Sequence, residues 1–231
     1  AEYMVDEVFA NLAAPHQARV LDPAAGAGVF LVAAYRRLVE ARWQQDGPRH
    51  RPHTQVLREI LYTQLRGFDI NEHALRLTAL SLYLTALELD PNPQPHSALK
   101  FDHLRGRVLF DVCDDGARGS WRKSLPPLGS LGSQVGPEHD GQYDVVIGNP
   151  PWTSWPSGGD RSQQAEARAQ QKLAVEKRIR SLLAQRLGQE LAGNYEMVDY
   201  VPDLPFCFRA LGWARAGGQV ARSEEHTSEL Q

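Results

Sequence analysis

A chain of 231 residues, 42% of them hydrophobic, is long enough to bury a substantial core in one soluble α/β unit. Its formal net charge of −3 gives no global signature of a nucleic-acid binder, and no apolar run reaches the roughly 18 residues that a membrane span needs. Two cysteines are too few for a disulfide framework and fit a reducing cytosol, and 8 scattered histidines without ligand spacing predict no metal.

Residues 19–21 read as a first strand. It runs at Asp22 into Pro23-Ala24-Ala25-Gly26-Ala27-Gly28, a glycine-rich turn ahead of a helix from Gly28 to about Trp43. Gly26 and Gly28 let backbone approach a ligand, and the helix opens with free amides. Such a pair is weak evidence alone. Asp22 adds an acceptor for an amine or a hydroxyl. Residues 44–54, with Pro48 and Pro52, read as a surface loop, and 55–64 as a helix or a strand lead-in. A second strand over 65–68 ends at Asp69, whose carboxylate either grips ribose hydroxyls or caps the helix starting near Glu72. Residues 72–89 are apolar on almost every side and predict a well-buried helix. After a proline-rich loop at 90–97, residues 107–112 alternate toward a third strand. Residues 116–141, rich in Gly, Ser and Pro, read as a long flexible insertion.

Asp144-Val145-Val146-Ile147-Gly148-Asn149-Pro150-Pro151-Trp152 is the most informative stretch. A buried apolar strand stops at an amide, two prolines and an aromatic. The prolines cannot continue a ladder, so a rigid loop forms where open α/β sheets bind ligands. An exocyclic amine of a base is a poor nucleophile because its lone pair is delocalised. The Asn149 side-chain oxygen and the Pro150 carbonyl can accept both N–H bonds and draw that nitrogen toward tetrahedral geometry, while Trp152 stacks on the base. An isolated Asn-Pro-Pro reads more readily as a strand-ending turn, and the glycine-rich motif reverses that preference. Residues 160–190 follow as a long polar helix with seven Lys/Arg against four Asp/Glu, either a DNA-phosphate contact or a solvated amphipathic helix.

Together these motifs resemble the DNA adenine-N6 methyltransferases of restriction–modification systems. Asp22 to Gly28 is similar to their S-adenosylmethionine loop, Asp69 falls at the ribose-binding acid, and Asn149-Pro150-Pro151-Trp152 is similar to their catalytic loop. Glu2-Tyr3-Met4-Val5 and residues 203–220 resemble further family segments. The resemblance implies a Rossmann-like class I methyltransferase fold with a mostly parallel sheet, incomplete at the C-terminus. It implies catalysis by Asn149, Pro150, Pro151 and Trp152, and cofactor contacts from Asp22, Pro23, Ala24, Gly26, Gly28, Asp69 and Ile70. Asp114 is the expected partner of the cofactor's adenine, with Asp111 and Asp115 as rivals. The implied partner is double-stranded DNA with the target base flipped out, beside a separate or fused specificity or restriction domain, in a prokaryotic cytoplasm.

Residues 1–221 are expected to form the catalytic domain. Residues 222–231 are polar, lack strand alternation, resemble the translation of a sequencing adapter, and are expected to be a non-native tail that leaves the chain inactive alone. Protein glutamine N5-methyltransferases, which use a similar Asn-Pro-Pro-aromatic loop, are the alternative enzyme class. A non-catalytic cofactor- or DNA-binding fragment is the other alternative.

Overall fold

A computed structural model describes residues 1–47, 49–92, 103–113, 128–150, 161–196 and 203–223. Five strands, β1 (Val20–Asp22), β2 (Leu65–Asp69), β3 (Leu109–Asp111), β4 (Tyr143–Gly148) and β5 (Ala214–Arg222), form one sheet in the order β3-β2-β1-β4-β5. All neighbours pair in parallel, with Val20 level with Leu65 on one side and Val145 on the other. The described helices are α1 (Glu2–Ala10), α2 (Val29–Asp46), α3 (Thr54–Gln64), α4 (Glu72–Leu89), α5 (Arg161–Leu187), α6 (Gln189–Gly193) and α7 (Asp203–Trp213). No described helix is long and apolar enough to cross a membrane.

Side chains alternate across the pleat, so each strand feeds two cores. Val20, Leu65, Val145 and Ile147 face α1 to α4. Leu21, Phe68 and Val146 face the other way, onto Val135 and the Ala210 and Trp213 of α7. A parallel sheet covered on both faces explains the near-continuous apolar reading of β4, which is buried at every position except half-buried Asp144.

The structure decides between some of these readings and corrects others. Residues 55–64 take the helical of their two readings, as α3. α4 has the expected bounds but is not buried all round: Leu77, Leu80 and Leu84 are each more than half exposed, while Leu75, Thr78, Leu82 and Ala86 face the core. Its cap is Asn71, whose Oδ1 accepts the N–H of His73 and Ala74, so Asp69 is not the capping residue. The described part of the predicted flexible insertion, 128–141, is anchored at its start by buried residues, although 133, 134, 137, 138 and 141 are exposed. A 3-10 turn over Gly129–Leu131 is buried, and Val135 enters the second core. The 160–190 helix breaks at Gly188, which has φ +94°, giving α5 and the short α6. Arg222, the first residue of the expected tail, lies in β5 opposite Gly148, and the Ser223 N–H donates to the Gly148 carbonyl. Residues 224–231 lie outside the described residues.

Candidate functional site

The strand order reverses between β1 and β4, and ligands of open α/β sheets bind at such a reversal, beyond the carboxyl ends of the strands. Three motif residues end there: Asp22 on β1, Asp69 on β2 and Gly148 on β4.

The glycine-rich loop is tied down from several sides. The Ala25 N–H donates to the Phe68 carbonyl at 2.9 Å, and the Gly26 N–H to Asp69 Oδ2 at 2.7 Å. Asp69 Oδ1 accepts the Asn71 N–H at 2.7 Å, so this carboxylate stitches the loop to the start of α4. Thr78 Oγ1 on α4 lies 2.8 Å from the Gly26 carbonyl, and Ser130 Oγ donates to the Pro23 carbonyl at 2.7 Å. Gly28 has φ +83°, and a Cβ there would sit 2.5 Å from Thr78 Cγ2. Both facts require glycine. At Gly26 a Cβ would meet nothing within 4 Å, which leaves open space over the loop.

Asp22 joins this loop to the next one. Its Oδ1 accepts the Ala24 N–H at 3.1 Å and lies 2.7 Å from where a Gly148 Cβ would stand; Pro23 Cδ is 3.2 Å from the same point. The end of β4 can therefore press against β1's loop only because position 148 has no side chain. Asp22 is 1% exposed, and its Oδ2 has no hydrogen-bond partner among the described residues. Burial pushes its carboxyl up to about 7; the Ala24 N–H opposes the shift and the nearby Asp69 charge adds to it. Beyond Gly148, Pro150 shares with Pro23, Phe206, Cys207 and Ala210 a cavity of about 230 Å³.

The geometry thus brings Asp22, Pro23, Ala24, Gly26, Gly28 and Asp69 together beside the strand end that carries Asn149 and Pro150. Ile70 is adjacent and partly exposed, with Gly129 close enough that a Cβ there would be 3.1 Å from Ile70 Cγ2. Pro151, Trp152, Asp114 and Asp115 lie outside the described residues. Asp111 ends β3 with Oδ1 accepting the Cys113 N–H and Oδ2 3.3 Å from Arg105, a local ion pair. A cationic methyl donor carrying a ribose suits this set, because a buried carboxylate oxygen lacks a partner and the loop below it is open.

Thr78, Ser130, Phe206 and Cys207 were not singled out in the sequence. Thr78 carried a signal, as a hydroxyl in the stripe Leu75, Thr78, Leu82 that faces the core. Ser130 carried none, since its partner is 107 positions away. α5 shows the apolar stripe Val175, Ile179 and Leu183 of a packed helix. Two of its cations serve the fold: Arg178 donates to the carbonyls of Gly132 and Val135, and Arg180 to that of Tyr195.

The family model described as "MmeI, DNA-methyltransferase domain" matches residues 7–187. No curated protein matches. Among solved structures, the M protein of the type I restriction enzyme EcoKI is similar at 17% identity over 69% of this chain and 26% of its own, with a TM-score of 0.41. A nuclease-deletion mutant of the type ISP restriction–modification enzyme LlaGI, in complex with a DNA substrate mimic, is similar at 15% identity over 91% of this chain and 16% of its own, with a TM-score of 0.47. The type ISP enzyme LlaBIII bound to DNA gives 16% identity over 73% and 11%, with a TM-score of 0.39. The chain spans about a quarter or less of each of these three proteins.

Proposed function

Because this chain belongs to the MmeI DNA-methyltransferase domain family, we propose that the protein carrying it transfers a methyl group from S-adenosylmethionine to the N6 amine of adenine in double-stranded DNA, as the modifying activity of a restriction–modification or phage-defence system in a prokaryotic cytoplasm. The observation that carries this reading is the contact at Gly148, which sets the Asn149-Pro150 loop directly against the Asp22-Pro23 loop at the switch point of the sheet. Donor and acceptor loops that touch can bring a methyl group and an amine into line.

The donor supplies an electrophilic methyl group on sulfur. The chain's own residues do the rest. Gly26 and Gly28 would let the loop approach the donor closely, and Asp69, which already holds that loop through the Gly26 amide, would offer its remaining acceptor capacity to the ribose. Asn149 and the Pro150 carbonyl accept the two N–H bonds of the amine and hold its lone pair toward the methyl group. Pro151 and Trp152 keep the roles assigned from the sequence, Trp152 as the stacking face for a base turned out of the duplex, worth about 1–3 kcal/mol. Positioning and fixed dipoles then carry most of the rate, so no strong general base is required.

The test is methylation of duplex DNA with labelled donor, followed by digestion to nucleosides. N6-methyladenine is expected as the labelled product. Label in a cytosine derivative, or in protein and not in DNA, would overturn the assignment. Asn149→Ala is expected to lower turnover by roughly hundreds-fold, the usual loss for one transition-state hydrogen bond, with little change in donor affinity. Near-normal turnover would remove Asn149 from the mechanism.

A further inference from the structure

We propose that binding of the cationic methyl donor ionises Asp22 and expels its proton to solvent, so that the domain takes up the donor by charge and binds it more tightly as pH rises. The inference rests on the methyl-donor reading above and adds proton control to that same site.

Asp22 stands at the carboxyl end of β1 with 1% exposure, one oxygen committed to the Ala24 N–H and the other without a partner among the described residues. Among the described residues, the elements around it bring no cation into a hydrogen bond with its free oxygen. From β2 comes Asp69, a second carboxylate, whose two oxygens already accept the Gly26 and Asn71 amides. From β4 comes Gly148. From the turn over Gly129–Leu131 comes Ser130, which spends its hydroxyl on Pro23. Among the described residues no lysine, arginine or histidine is paired with Asp22 or Asp69.

A carboxyl shut away from water beside another carboxylate is cheaper neutral. Burial accordingly pushes Asp22 up to about 7. S-adenosylmethionine brings an ammonium and a sulfonium. A cation within about 4–6 Å lowers a carboxyl by roughly 1–3 pK units, which returns Asp22 to its charged form. The balance is simple. The neutral carboxyl and the cationic donor become a carboxylate–cation pair, and one proton goes to the buffer.

Calorimetric titration of the protein carrying this domain with S-adenosylmethionine, in two buffers of different ionisation enthalpy, reads that proton directly. Release of close to one proton per donor is expected at about pH 6, falling to roughly half at about pH 7, with Kd tightening about tenfold per pH unit below that. Asp22→Asn should abolish the release and flatten the pH dependence. Infrared difference spectra of the wild type should show a protonated carboxyl band lost on donor binding, which needs no variant. Donor binding without proton release at about pH 6, or release retained in Asp22→Asn, overturns the inference alone. No binding at any pH overturns the methyl-donor reading and this inference with it.

Discussion

A carboxyl that must be buried without a cation weakens the fold whenever it ionises. Asp22 has an unfolded value of 3.8 and a folded value of about 7. The folded state holds the extra proton, so Asp22's contribution is fully present below about pH 4 and is lost as pH rises through about 7. Without donor, Asp22→Asn should therefore stabilise the domain by about 2–4 kcal/mol at pH near 8, and by much less near pH 4. Urea unfolding at both pH values is the measurement; an identical gain at each would show that ionisation is not the cause. Gly28→Ala should cost about 1–3 kcal/mol, because φ is +83° and the new methyl meets Thr78. In a double-mutant cycle Gly28→Ala should cost less in a Thr78→Ala background than in the wild type, and an unchanged cost there would place the strain in φ alone. That Asp22 ends β1, that Gly28 opens α2 and that Asn149 follows β4 was legible in the sequence, because glycine and proline punctuate the chain beside them. Thr78 and Ser130 were not, since each acts on a loop 52 or 107 positions away.

Elements were legible where their periodicity was strong. The β-α-β-α run through β2 and α4 and the apolar stretch of β4 declared themselves. What failed was burial by distant partners. Residues 128–135 lack any apolar period, yet they pack because Ser130 reaches Pro23 and Arg178 of α5 reaches the carbonyls of Gly132 and Val135. α5 read as a polar helix, a DNA-phosphate contact or an amphipathic one, and its narrow stripe of Val175, Ile179 and Leu183 packs into a small core of its own. Arg178→Ala should leave two partly buried carbonyls short of a donor, at about 1–3 kcal/mol. Hydrogen exchange should then quicken at Leu131 and Gly132, whose amides close the 3-10 turn. Unchanged protection there would mean that Arg178 does not hold the segment.

At the scale of the whole molecule, a sheet covered on both faces, with the donor site proposed at its switch point, should respond to that ligand as a unit. S-adenosylmethionine at about a hundred times its Kd adds about 2.7 kcal/mol, which in a domain of this size raises Tm by roughly 5–10 °C. Scanning calorimetry should show that shift, and a smaller one in acid than near neutrality. An unchanged Tm at saturating donor would sever the fold from the assigned cofactor. The missing side chain at Gly148 also bears on how such a protein can change over time. Its empty position is a shared wall between the loop assigned to the donor and the loop assigned to the acceptor. A methyl group added there would push on both loops at once, so the two halves of the reaction must be inherited, and engineered, as a single part.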